Sequence, residues 1–188
     1  MERQNSLILA IFLIALLTGC RSKTAPVLAA CDLLTKESVS SIQGEQVVDA
    51  TPNQSTSGEL RVSQCFYKLP TYSRSVNLEV TSGQAPSIED FWNKRFREHK
   101  VFEEEEEEME RAEKEGRSAD IDKEKKASGP EPVAGLGDEA FWVANQMNGS
   151  LFIKRGAAVY RIALGGPEDS TGRLAKATAL ARSFLDRK

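Results

Sequence analysis

The sequence predicts an α+β fold: one domain, with a mainly antiparallel sheet of about six strands and packed helices in the order α-βββ-α-βββ-α. Two patterns lead to it. Short runs alternate apolar and polar residues, as in Val76, Leu78 and Val80 against Asn77 and Glu79, which marks half-buried strands. Three longer stretches carry apolar residues at helical spacing and are bounded by capping or stop residues. The joints between strands are short and rich in Gly and Asn, so neighbouring strands are expected to pair as local hairpins.

The elements follow in order. Residues 33–43 read as a helix, with Thr35 as N-cap, Glu37 near its positive end and Gly44 as its stop. Residues 46–50 read as a strand and 51–59, rich in Pro, Asn, Ser, Thr and Gly, as a loop. Strands follow at 60–69 and 75–81, around a turn at 70–73. Ser87 then opens a second helix on which Ile88, Phe91, Trp92, Phe96 and Phe102 form one stripe. This helix is expected to run on to about residue 115 as a projecting extension. Strands are expected at 140–144, 151–155 and 158–164. Asn148-Gly149 carries the hairpin signal between the first two, because a type I′ turn needs positive φ at both central residues. Residues 171–187 form the last helix, with Leu174, Ala177, Ala181, Phe184 and Leu185 toward the core. Each half thus reads as strands followed by a helix, a layout that suggests a pseudo-repeat.

Composition narrows the function. The chain has 188 residues, is 40% hydrophobic and 28% charged, and carries a net charge of −3. One histidine leaves little room for His-based catalysis or zinc binding. The charge is uneven. Residues 103–126 hold twelve acidic and six basic groups, net −6, so the remainder is +3. The near-neutral balance and the export signal described next speak against a nucleic-acid partner.

The first twenty residues read as an address. Arg3 precedes an unbroken apolar run at 7–17. At eleven residues it has the length of a signal-peptide core and falls short of the roughly 20 that span a bilayer. Leu17-Thr18-Gly19-Cys20 follows directly and resembles the bacterial lipobox. The resemblance implies cleavage before Cys20 and a thioether-linked lipid on its thiol. The expected domains are a signal peptide at 1–19, a tether at 20–30, and one domain at 31–188 with an acidic insert at 103–132. With Cys20 lipidated, Cys31 and Cys65 remain. In an oxidising compartment such a pair reads as a disulfide, with two buried thiols or a redox pair as the alternatives.

Three further motifs carry a family resemblance: Cys31-Asp32-Leu33-Leu34-Thr35, Cys65-Phe66-Tyr67, and Gly135-Leu136-Gly137-Asp138-Glu139-Ala140-Phe141. Together they make the chain similar to exported bacterial lipoproteins, common in actinobacteria, that carry a domain of unknown function. The resemblance spans most of 31–187. It implies a Cys31–Cys65 disulfide, a compact α/β sandwich and no enzymatic activity. The acidic insert departs from the pattern.

Other motifs fit plain structural roles. Glu103, Glu104, Glu105, Glu106, Glu107 and Glu108 form a candidate partner-binding run. On a helix their carboxylates point in all directions, whereas calcium needs oxygens gathered at one point. A solvated helix supported by pairs such as Glu107–Arg111 is the simpler reading. Gly135-Leu136-Gly137-Asp138 lacks the Lys-Ser/Thr of a phosphate loop and leads into a strand. His99 has no nucleophile signature around it, and Asp138 and Glu139 diverge as strand neighbours. Trp92, Trp142, Phe141 and Tyr160 are assigned to the core. No catalytic residue, metal ligand or cofactor is expected. The expected function is a non-enzymatic, lipid-anchored protein of the bacterial cell envelope, on its periplasmic or outer face. It would bind or assemble with an envelope protein partner and touch the membrane through the lipid on Cys20. The alternative is a carrier of a small molecule or divalent metal, using a groove between sheet and helix.

Overall fold

The computed structural model describes residues 28–98 and 129–187. The described chain builds one seven-stranded antiparallel sheet and four helices, an α+β fold. The elements are α1 (Ala30–Leu33), α2 (Lys36–Gln43), β1 (Asp49–Ser57), β2 (Leu60–Lys68), β3 (Val76–Ser82), α3 (Ala85–Asn93), β4 (Glu131–Pro132), β5 (Glu139–Ala144), β6 (Asn148–Arg155), β7 (Ala158–Gly165) and α4 (Ser170–Leu185). Strand order is β1-β2-β3-β7-β6-β5-β4. Two meanders therefore meet where their last strands, β3 and β7, pair at the centre.

The register sorts the side chains onto two faces. One row across the sheet reads Pro52, Cys65, Leu78, Ile162, Leu151, Trp142 and Glu131. This front face is covered by α1, α2 and α4, and its core includes Val39, Cys65, Leu78, Trp142, Ile162 and Leu180, all essentially inaccessible. The back face is covered over β5, β6 and β7 by α3 and the π turn that continues it, Lys94–Glu98. A second, smaller core of Ile88, Trp92, Phe96, Phe152 and Val159 fills that contact.

The segment at 30–34 is fastened along β2. The Ala30 N–H donates to Ser63 Oγ at 3.0 Å. Cys31 is bonded to Cys65, with sulfurs 1.98 Å apart. The buried Tyr67 hydroxyl donates to the Leu34 carbonyl. Ser63, Cys65 and Tyr67 are alternate residues of one strand, so all three ties fall on the front face. Burial, reinforced by Asp32, pushes the Tyr67 phenol up to about 12, so the hydroxyl keeps its proton across the physiological range.

Several expectations change. The sheet has seven strands rather than six. The extra one, β4, lies inside the stretch assigned to the insert and pairs with Trp142 and Phe141 of β5. In place of one first helix there are two, α1 and α2, because Leu34 is extended at φ −115° and separates them. Thr35 does cap α2, accepting from the Ser38 N–H, and Gly44 ends it at φ 75°. Residues 51–57 are the edge strand β1, not a loop. Its side chains are almost all exposed on both faces, so no apolar alternation was there to read. Pro52 is tolerated because an edge strand pairs on one side only. Cys65, on β2, accordingly lies one strand from an edge.

The second helix begins at Ala85 after the N-cap Gln84. Ser87 instead donates its hydroxyl to Glu59 Oε2 at 2.7 Å. The proposed run of this helix beyond Glu98 lies outside the described residues. The β5–β6 turn is made by residues 145–147: Asn145 Oδ1 accepts from the Met147 and Asn148 N–H groups at 2.9 and 2.8 Å. Asn148 and Gly149 belong to β6. Gly149 is required by packing, since a Cβ there would lie 2.1 Å from the Trp142 ring. Residue Gly156, at φ 57°, does make the β6–β7 reversal. The last helix is capped by Asp169, which accepts from the Gly172 N–H at 2.7 Å. The two halves share the layout of a three-stranded meander followed by a helix, but α3 and α4 lie on opposite faces of the sheet.

Two predictions follow from this packing. Replacing Cys31 and Cys65 by serine removes a closed loop of about 35 residues, and should lower unfolding free energy by about 4 kcal/mol in urea titrations. Gly149→Ala, which overpacks the Trp142 ring, should cost about 1–3 kcal/mol in the same assay.

Candidate functional site

Charged side chains gather in three places, and their pairing differs. The first fixes α3 to the back face. Lys154 comes from β6, where the face alternation would place an apolar residue, and its side chain is only 10% exposed. Its ammonium donates to Glu139 Oε1 and to Glu89 Oε2, both at 2.8 Å. Glu139 also accepts from Trp92 Nε1 and Arg97 Nη2, each at 3.1 Å. The hydrogen bond from Lys154, then those from Trp92 and Arg97, holds the Glu139 carboxyl below its ordinary range against the opposing effect of burial. For Lys154, burial works to lower the pKa, and the two carboxylates together outweigh it, so the ammonium is raised.

The second cluster joins loops at the end of the sheet where β7 leads into α4. Lys176 Nζ lies 2.5 Å from Glu168 Oε1, and Arg74 Nη2 is 3.6 Å from the same oxygen. Arg74 also pairs with Glu45 at 2.9 Å. The hydrogen bond from Lys176 is the main reason that the Glu168 carboxyl sits low. Arg173, only 2% exposed, donates to the Glu168 carbonyl and to the Asn145 carbonyl, the latter at 2.8 Å. It thereby fixes the β5–β6 turn to α4.

The third place is the part of the back face that no described helix covers. One register row runs Asn53, Gln64, Glu79, Arg161, Phe152 and Phe141. Its polar half is linked sideways: Asn53 donates to Gln64 at 3.2 Å, and Gln64 donates to Glu79 Oε2 at 2.6 Å. Arg161 reaches Ser150 Oγ only through long contacts of 3.4 and 3.3 Å from Nε and Nη2. Its guanidinium carbon lies 5.6 Å from the centre of the Phe152 ring. Arg95, from the π turn, stacks over the same ring at 4.6 Å. Burial, then the positive charge of Arg161, pulls the Arg95 pKa down, with Glu79 opposing.

Several sequence-predicted residues can be placed. Cys31 and Cys65 are joined. Asp138 and Glu139 do diverge: Asp138 accepts from the Gly156 N–H at 2.7 Å while Glu139 faces Lys154. Gly135 and Gly137 have φ of 77° and 59°, as a tight turn requires. Trp92 and Trp142 are buried, as assigned. Cys20, His99 and Glu103 through Glu108 lie outside the described residues. The contact between α3 and the sheet is filled by aromatic rings: Phe96 lies 4.5 Å from Trp92, 5.0 Å from Phe141 and 5.1 Å from Phe152. Among the described residues no three His, Cys, Asp or Glu side chains converge as metal ligands, and no helix is long and apolar enough to cross a membrane.

Sequence reasoning did not pick out Arg95, Arg161, Glu79 or Gln64. Glu79 and Arg161 were visible as the charged members of alternating strands. That they are neighbours depends on β3 pairing with β7, which no local signal states.

Nothing among protein-family models or curated proteins matches the chain. Among solved structures, a GTP binding regulator from Thermotoga maritima is similar over 85% of this chain and 94% of its own, with a TM-score of 0.39 and 9% identity.

The paired carboxylates set a pH dependence. Glu139 and Glu168 have folded-state pKa values below the ordinary 4.5. Their contribution is fully present above that value and is lost as pH falls through the lowered folded values. Urea midpoints should therefore hold between pH 7 and about pH 5 and decline below about pH 4.5, and the Glu139→Gln Glu168→Gln double variant should show a flatter decline. Lys154 has the opposite sign. Its contribution holds below 10.5 and goes only as pH rises through the raised folded value.

Proposed function

We propose that the chain is a non-enzymatic, lipid-anchored protein of the bacterial cell envelope whose α+β domain is a binding or assembly module on the periplasmic or outer face. The observation that carries this reading is Leu17-Thr18-Gly19-Cys20 directly behind an apolar run of eleven residues and the positive Arg3. The Cys31–Cys65 bond suits the oxidising compartment that export would reach.

Among the described residues, Ala30 is tied to Ser63 by a hydrogen bond, ten residues after Cys20. Ten extended residues reach at most about 36 Å, so an anchored domain stays close to the bilayer. Each buried acyl CH₂ contributes about 0.8 kcal/mol, so two or three chains hold firmly. The binding part of the proposal draws on the polar row of the back face, where side chains are ordered by one another yet left open.

Expression in a bacterial host with a labelled fatty acid tests the anchor. Label should enter the wild-type chain and be absent from Cys20→Ala, and the mature wild type should begin at residue 20. Wild-type protein that stays unlabelled and retains residues 1–19 would overturn the proposal.

A further inference from the structure

We propose that Arg95 and Arg161 together receive a phosphate group on the open part of the back face. Three strongly held cations of the domain have carboxylates against them: Lys154 has Glu89 and Glu139, Arg74 has Glu45 and Glu168, and Lys176 has Glu168; a fourth, Arg173, has its guanidinium taken up by the Glu168 and Asn145 carbonyls. Arg95 and Arg161 differ. Among the described residues neither guanidinium has a carboxylate oxygen within salt-bridge distance. Glu79, opposite Arg161 in the row, accepts from Gln64, and its negative charge offsets part of that of the two arginines. The hydrogen bonds of Arg161 are the two long ones to Ser150.

The two cations are nonetheless fixed near one another. Both lean on Phe152, at 4.6 and 5.6 Å from its centroid, so their guanidinium carbons are separated by no more than about 10 Å. Phe152 is 4% exposed and set edge-on against Phe96 at 5.1 Å, so the ring is a rigid backing. Two positive charges against the single negative charge of Glu79 leave a local excess of positive charge that an anion relieves. A guanidinium binds oxyanions through its fork of N–H donors. One carboxylate has two coplanar oxygens and suits one such fork. A tetrahedral phosphate turns oxygens toward two separate forks and carries charge enough to match both. The Ser150 hydroxyl, lying between the strands beside Arg161, is a further donor.

The site belongs to the folded domain and does not depend on lipid at Cys20. Its ligand is a phosphate in solution or a phosphate headgroup, and two titrations of the full chain distinguish these. Arginine Nε–Hε resonances are followed by NMR, first with inorganic phosphate against chloride at matched ionic strength, then with phosphatidylglycerol vesicles against phosphatidylcholine vesicles. The Arg95 and Arg161 signals should shift together and saturate with free phosphate. Arg95→Gln, a change at an exposed residue, should weaken binding about tenfold, and Arg161→Lys, which keeps the charge but loses the fork, by a similar factor. A response to phosphatidylglycerol vesicles alone would support the site with a headgroup as ligand. Unsaturated drift matching the chloride control, without a vesicle response, would overturn the proposal. So would backbone amide shifts of Ser150 and Phe152 that saturate with phosphate equally in the wild type and in the Arg95→Gln Arg161→Gln double variant.

Discussion

The pairing of β3 with β7 is the constraint on which the rest of the domain depends. Seven residues of each strand, Val76–Ser82 against Ala158–Leu164, join two meanders that lie some eighty residues apart in the chain. Without that contact each half is a small sheet with one usable core face. With it, Leu78 lies beside Ile162 and Val80 beside Tyr160, and the front-face core becomes continuous under α4. The same register puts Glu79 beside Arg161 on the reverse. A shift of one residue would turn both sets over. The apolar front face therefore selects the register, and the polar arrangement on the back face follows from it.

The outer boundaries of the sheet are consistent with a closed assembly. β1 and β4 form its edges, and each contains a proline, Pro52 and Pro132. Proline removes a backbone donor, and a short edge such as β4 offers little template. Side chains on β1 beyond Pro52 are polar on both faces. Added strands thus gain neither a regular ladder nor an apolar surface. If the domain assembles with a partner, side chains of a sheet face are better suited to it than an edge.

Legibility from the sequence tracked how each element gains its stability. β3 and β7 bury one or both faces, and their alternation was plain, while β5 was legible as a short apolar run. Caps written into local chemistry were found as well: Thr35 and Gly44 act where their residue types suggest. Failures came where a distant neighbour decided. β1 is a strand because β2 offers it a ladder, while its own composition reads as loop. Gly149 looked like half of an Asn-Gly turn, yet the Trp142 ring above it excludes any side chain, and Asn145 makes the turn three residues earlier. Ser87 looked like a cap but is drawn to Glu59 across the loop. In the charged clusters, residue types could be read and partners could not, because pairs such as Lys154 with Glu89 join residues 65 positions apart.

The contrast among the charged groups explains why one region of the surface stands out. Lys154 and Glu139 are held where removing one partner would strand the other, and that mutual dependence fixes α3. Glu168 serves the loops at the end of the sheet in the same manner. Those interactions answer a structural need, since each joins elements that are distant in sequence. Arg161 joins only adjacent strands that the backbone ladder already unites, and Arg95 covers a ring that Phe96 already packs. Neither placement adds a connection that the fold lacks, and each brings positive charge toward the other. The fold accounts for the stacked planes of these two arginines over Phe152, and among the described residues it ties Arg161 by hydrogen bonds to Ser150 alone.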